Sequence, residues 1–183
     1  MTTPYVHSTH LSPTHTFSKS YTPSITLLQG LGVHGDVHSG KTVQQRRLSS
    51  QIPTAPNLRQ VHLIPYELFN ELSPQGFAVA PGQLGENITT YGIDLLGLPR
   101  GSYLYFGEGG DVPVVQVTGL REPGEGVERF MGGLLGKVKY ISTGGNVVRR
   151  CGIMGVVVKG GVVATGAAIR IVQPEKRYAL EVV

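Results

Sequence analysis

The stretch "GDVHSGKT", Gly35–Thr42, decides the fold. Its spacing, G-x-x-x-x-G-K-T, is that of a phosphate-cradling P-loop. Such a loop needs a buried strand directly before it and a helix directly after it, so that backbone N–H groups and the helix N-terminus surround the phosphates. Both neighbours oppose that reading. The strand-like run Ile25–Leu28 ends several residues too early. The segment after the lysine, "TVQQRRLSSQIPTAPN", is polar, carries two prolines and reads as a long loop with one helical turn. Asp36 sets a carboxylate inside the loop, where it would repel phosphate. No apolar strand ends in an aspartate placed to hold a metal. Nucleotide binding therefore stands only as an alternative.

Working outward, the chain is a succession of short apolar runs punctuated by glycine. Val61–Ile64 is strand-like, and "PYELFNEL" opens a short helix at Pro65 with Leu68, Phe69 and Leu72 on one face. "PGQLGENITTYGIDLLGLPRGSYLYFG" places Gly or Pro every few residues between apolar pairs, the mark of short strands and tight turns. "VPVVQVTGL" is a strand, and "GVERFMGGLLGKVKYI" has helical spacing broken by Gly132, Gly133 and Gly136. "CGIMGVVVKGGVVATGAAIRIV" reads as two strands joined in a hairpin at Gly160-Gly161, and "KRYALEVV" as a further edge strand. The βαβ rhythm of a parallel nucleotide-binding sheet is missing. The expectation is a mainly β, barrel-like domain over 23–183 with one or two short helices, preceded by a disordered tail over 1–22.

Composition narrows the function classes. Gly is 26 of 183 residues, about twice the usual share, which suits turns between strands and not a helix bundle. The net charge of +4 is compatible with an anionic ligand. "QQRRL" and "VVRRC" are too short and scattered to form a nucleic-acid footprint, and no basic, aromatic-rich strand of the RNA-binding kind occurs. The single cysteine, Cys151, excludes an intramolecular disulfide and points to a reducing, cytoplasmic compartment. No apolar run reaches the roughly 20 residues of a membrane helix. The Ser-, Thr-, His- and Pro-rich start lacks the apolar stretch of a secretory signal.

His34 and His38 stand four apart, a zinc-like spacing on a helix. Gly32, Gly35 and Gly40 surround them, and no Cys or third His lies nearby. The simpler reading is a folded turn in which the two histidines and Asp36 satisfy one another and the backbone, with no metal.

Taken in order, "GLGVHGDVHSGK", "RQVHLI", "PGQLGENITTYGIDLLGLPRGSYLYFG" and "VTGLREPGEGVERF" resemble the MOSC domain, named from the C-terminal part of molybdenum cofactor sulfurase. The similarity runs from about Leu27 to Ile171. The set G-x-x-G-D-x-H-x-G, L-G-E-N-[IL]-T and T-G-x-R-x-P carries it, and under it Lys41-Thr42 complete a P-loop by chance. The resemblance implies a β-rich, barrel-like fold and work on the molybdenum–pterin cofactor (molybdopterin): sulfur transfer to it, or binding it for reductive detoxification of N-hydroxylated compounds with a partner reductase. Molybdenum ion and pyridoxal phosphate binding are also family associations. The expected form is a monomer or homodimer with a small anionic cofactor, no nucleic acid and no membrane.

The residues suit such a cofactor. A phosphate tail wants backbone N–H groups in glycine turns and a few cations. Gly35, Gly40, Gly82 and Gly85 supply turns, and Arg59 and Arg121 supply planar forks matched to phosphate. Asn87 carries both donor and acceptor to orient a pterin or to fix its own loop, and Glu86 would pair with a cation or hold the turn. His34 belongs to the same glycine-lined site. His38 is the candidate acid–base or orienting group, because an imidazole changes charge near neutral pH, and Asp36 would fix its tautomer.

One departure matters. In the family T-G-x-R-x-P is typically followed by Cys, the proposed sulfur carrier; here the position is Gly124, which can be neither nucleophile nor persulfide. Sulfur transfer is then lost with ligand binding kept, or the chain is a non-catalytic binding module on the same fold, or Cys151 does the job. Arg149 and Arg150 beside Cys151 would favour a thiolate, whereas its place at the head of "CGIMGVVV" suits a small buried hydrophobe.

Overall fold

The computed structural model describes residues 3–183, side chains of 46–48 excepted. Runs rich in Val, Ile, Thr and Tyr form strands, and glycines with positive φ end them. In chain order the elements are β1 (Tyr5–Leu11), β2 (Ser20–Thr22), β3 (Ser24–Leu28), β4 (Gly32–Val33), α1 (Arg46–Gln51), β5 (Val61–Pro65), α2 (Tyr66–Leu72), β6 (Ile88–Tyr91), β7 (Tyr103–Phe106), β8 (Val114–Leu120), α3 (Glu125–Phe130), α4 (Leu134–Val138), β9 (Lys139–Ile141), β10 (Val147–Arg149), β11 (Ile153–Lys159), β12 (Gly161–Ala164) and β13 (Ile169–Val172).

Eight strands form one sheet in the order β13-β7-β8-β11-β5-β6-β1-β2. Every pairing in it is antiparallel except β5 with β6. The sheet curls until the start of β1 meets the lead-in to β13, where Val6 N–H donates to the Ala167 carbonyl and Ile169 N–H to that of Pro4, each at 2.8 Å. A single bridge, Tyr5 to Ala168, stands there instead of a ladder. The fold is thus mainly β, as expected, but as a strongly curved open sheet and not a closed barrel. A three-stranded sheet, β12-β3-β4, and the β9–β10 hairpin complete it.

Strand β5 is buried on both sides, which splits the core. Val61 and Leu63 join Val6, Leu27, Ile88, Leu104, Val117 and Ile153 in one cluster. Ile64 joins Leu68, Phe69, Leu72, Val127, Leu134, Val138 and Cys151 in the other, beneath α2, α3 and α4. The two-residue period of a strand puts His62 on the Ile64 side.

Three expectations need correction. Residues 3–22 are not a disordered tail, residues 1 and 2 of that expectation lying outside the described ones: β1 pairs with β6 and β2. Its polar composition misled because Ser8, Thr9 and His10 are buried in spite of their polarity. Gly160-Gly161 does not make a hairpin: β11 pairs with β8 and β5, while β12 crosses to β3. "KRYALEVV" adds a single parallel bridge, Leu120 to Val182, and not a strand of the sheet.

Candidate functional site

The β1–β2 connection, the turn after β4, the lead-ins to β5 and β6 and the exit from β8 converge on a cleft of about 230 Å³. Lys19, His38, Arg59, His62, Gly85, Asn87, Arg121 and Glu122 line it, with Thr16, Phe17, Gln45 and Met154. A wider hollow of about 520 Å³ shares Thr16, Phe17, His38, Gln45 and Arg121 and continues over Gly124 to Arg129.

Asp36 organises one wall. Its side chain is 2% exposed, and its Oδ2 accepts from the Lys19 ammonium at 2.8 Å, the Ser12 N–H at 3.1 Å and the Asn87 amide at 3.1 Å. Oδ1 accepts the His38 backbone N–H at 3.0 Å and lies 3.3 Å from His38 Nδ1. Burial alone would raise this carboxyl, but the His38 hydrogen bonds and the Lys19 charge hold it well below the usual carboxylate range. Burial pulls the Lys19 ammonium below its ordinary value, and Asp36 opposes that shift. With Nδ1 on Asp36, His38 keeps Nε2 without a hydrogen-bond partner among the described residues. "GDVHSGKT" is therefore a turn built around a buried carboxylate, with its lysine, Lys41, exposed. The strand before it, β4, pairs antiparallel with β3, and no helix begins until Arg46, so the P-loop geometry is missing.

Asn87 does not face a ligand with a free amide. Its Oδ1 accepts the His62 N–H at 3.2 Å, and its Nδ2 donates to the His10 carbonyl and to Asp36. Among the described residues Glu86 pairs with no cation: its side chain accepts from the Gly82 N–H and, at 3.0 Å, from the Thr89 hydroxyl. Burial pushes the Glu86 carboxyl up, and its second oxygen has no partner among the described residues. His34 and Gly35 are exposed, and neither they nor Gly40 line the cleft. Gly40 instead braces the turn, its N–H on the Leu31 carbonyl and its carbonyl on the Asn57 amide. His34 thus lies apart from His38's site, and among the described residues no three His, Cys, Asp or Glu gather to hold a metal. Gly85 does line the cleft, at φ +85°, where a Cβ would come within 2.7 Å of the Phe17 carbonyl. Gly82 holds the same loop from behind, against Lys19 and His10.

Arg59 and Arg121 both face the cleft, and neither has an ion-pair partner among the described residues. Glu122, the carboxylate beside them, is taken by Lys139 and Arg149. Burial and the neighbouring Arg121 lower the Arg59 guanidinium. Arg121 Nη1 is buried with no hydrogen-bond partner among the described residues.

Cys151 corrects the expectation of a substitute thiol. It is 0% exposed, packs in the second core cluster, and does not line the cleft. Burial raises its thiol, against a contact from Arg121, so the protonated form is favoured. Gly124 is exposed over the wider hollow at φ −128°, with nothing within 4 Å of an added Cβ.

Sequence reasoning missed Lys19 and His62. Lys19 sat in a segment read as disordered. His62 lay inside the quoted "RQVHLI" but looked like one residue of an apolar strand.

The sequence profile of the MOSC domain matches residues 33–170. The chain belongs to the MOSC domain family. Solved structures share the fold. The YuaD protein of Bacillus subtilis aligns at 22% identity with a TM-score of 0.72, over 95% of this chain and 98% of that one. YiiM from Geobacillus stearothermophilus aligns at 17% identity with a TM-score of 0.62, over 93% and 75% of the two chains. YiiM from Escherichia coli gives 18% identity and a TM-score of 0.62, over 98% and 74%. No curated protein matches the chain. The MOSC profile begins at Val33, so β1, β2 and the connection between them lie outside the match, although Thr16, Phe17 and Lys19 of that connection line the cleft. Among the described residues no helix is long and apolar enough to cross a membrane.

Proposed function

We propose that this MOSC domain binds the molybdenum cofactor, or a similar oxyanion-bearing ligand, in the cleft between Arg59 and Arg121 and carries no sulfur of its own. One observation supports this above the others: two arginines face one cleft without a carboxylate partner, and one buried Nη1 is unpaired. A buried guanidinium N–H left without an acceptor is costly unless an anion completes it. A phosphate or molybdate oxygen suits the planar guanidinium forks. Gly85, which lines the same cleft, gives close access to the backbone. His38 Nε2, oriented through Asp36, is the group placed to give or take a proton at the cleft wall. When bound, the cofactor would supply the redox chemistry at molybdenum; this chain's residues bind, orient and shield it. Sulfur carriage does not fit: Gly124 has no thiol, and Cys151 is sealed in the core.

Molybdenum content and oxidised-pterin fluorescence test the reading on protein purified from a host that makes the cofactor. Cofactor should accompany the native chain and Cys151→Ser alike, and should be lost from Arg121→Gln. Cofactor retained only with Cys151 would restore the thiol to a central role. A native chain that binds simple oxyanions but never cofactor would be a plain anion-binding module on the MOSC fold.

A further inference from the structure

Phe17, on the β1–β2 connection, lines both the cleft and the wider hollow. Its ring is fixed by its neighbours. The Phe130 ring, at the end of α3, stacks on it with centroids 5.2 Å apart and planes at 29°. Gly126 lies against the same ring: a Cβ there would come within 3.2 Å of Phe17 Cδ2 and Cε2, so only glycine leaves the ring where it is. The Phe17 carbonyl in turn abuts Gly85, where a Cβ would sit 2.7 Å away. A ring held in this way is preorganised, and a ligand that packs on it need not order it first.

The cleft and the hollow are one continuous space. Thr16, Phe17, His38, Gln45 and Arg121 belong to both. The two ends differ in character. The cleft end gathers Lys19, Arg59 and Arg121. The hollow end is walled by Phe17, Val127, Gly124 and Gly126, and its Arg129 is exposed and paired with Glu125 at 3.2 Å. Neither glycine adds a side chain, and the hollow keeps about 520 Å³, within the range of small-molecule sites. The His15 ring stands edge-on to His38 where the two spaces meet, with centroids 5.6 Å apart. An anion between Arg59 and Arg121 thus has an aromatic wall within reach of whatever it is attached to. An inorganic anion would leave that half of the space unused, whereas a flat ring gains from aromatic contact beyond the area it buries.

We propose that Phe17 is a specificity-determining residue of the site, selecting oxyanions that carry a flat aromatic body and receiving that body in the hollow over Gly124. The inference rests on the proposed anion site and names the ligand class that site takes. Phe17 precedes Val33, so this selectivity is supplied by a segment outside the family match.

Titration calorimetry of the full chain with phenyl phosphate and methyl phosphate tests it. At about pH 8 both esters are dianions, so their heads are alike and only the bodies differ. The native chain should bind the phenyl ester at least about tenfold more tightly. Phe17→Leu should bind the methyl ester as the native chain does and lose the preference for the phenyl ester. Gly124→Leu, which puts a side chain into open space on the hollow's wall, should lose the preference with Phe17 intact. In the native protein, NMR should show nuclear Overhauser contacts between the bound phenyl ring and the Phe17 ring, a readout independent of how either variant folds. Equal affinity of the native chain for the two esters, a preference that either variant keeps, weakening of both esters alike in Phe17→Leu, or a bound phenyl ring without contact to Phe17 overturns the role of Phe17 and leaves the anion cleft standing. Binding of neither ester overturns both.

Discussion

The Lys19 ammonium lies 2.8 Å from the Asp36 carboxylate, and the two side chains are 3% and 2% exposed. This buried pair ties the β1–β2 connection to the turn after β4, and the same carboxylate holds Ser12, His38 and Asn87. Removing one partner leaves an uncompensated charge, which costs about 3–5 kcal/mol. Asp36→Ala should lose that much in urea unfolding, and Lys19→Met combined with Asp36→Leu should lose less than the single change. A cost under about 1 kcal/mol for Asp36→Ala, the range of exposed pairs, would show that the pair does not hold the wall.

Acid should weaken the fold before the carboxylates titrate. Burial, with His7 and Lys19 nearby, lowers His10 to about 4. The unfolded chain takes this proton as pH falls through about 6.5, the folded chain only near 4, so stability declines on acidification across that window. His62 acts in the same direction. Asp36 adds its loss lower, as pH drops below about 4, the ordinary carboxylate value. The urea midpoint should be lower at pH 5 than at pH 7, and His10→Gln should flatten that slope. An unchanged midpoint between the two would refute the assignment.

Gly124→Cys should fold as well as the native chain, because the backbone there is extended and an added Cβ meets nothing within 4 Å. Its thiol should react quickly with a disulfide reagent. Cys151 in the native chain should react only on unfolding, since it is 0% exposed. Fast labelling of the native chain would contradict its placement in the core.

Gly85→Ala should damage the cleft selectively. The position has φ +85°, and its Cβ would sit 2.7 Å from the Phe17 carbonyl. Strain of this kind costs on the order of 1–3 kcal/mol and would displace the β1–β2 connection. Sulfate affinity should fall at least tenfold. Native affinity in this variant would place the ligand elsewhere.

Deleting residues 1–19 should leave a chain that unfolds or aggregates, because β6 loses its ladder with β1 and exposes an edge. In the intact protein, protease should not cut within β1. Ready cleavage between Tyr5 and Leu11 would mean that the strand is not docked.

The sequence carried the fold class because strand signals are local. Val61–Ile64 and "VPVVQVTGL" are alternating or continuous apolar runs, and Pro65 opens α2 where its ring is tolerated. β1 was illegible for the opposite reason. Thr9 and His10 are polar residues buried by partners far along the chain, such as Asn87, whose side chain donates to the His10 carbonyl. The site was legible as a set of loops and not as roles. Arg59, Arg121, Gly85 and His38 do meet. Asn87 meets them too, but its polar atoms are spent on backbone and Asp36, while Glu86 stands outside the cleft with one oxygen on the Gly82 N–H and the Thr89 hydroxyl, which only tertiary contacts reveal. Gly160-Gly161 misled because a two-glycine turn also serves a strand that leaves one sheet for another.

Strand β1 bonds to β6 on one side and, through Val6 and Pro4, to the lead-in of β13. Strand β1 therefore waits for β6 and for the lead-in of β13, both far down the chain, before it finds its places. Until then Lys19 has no lasting hold on Asp36, and the cleft is among the last features to mature. A tag fused ahead of Pro4 lengthens only the waiting segment, whereas a pause in translation before Ile169 would leave a nascent chain with its seam open.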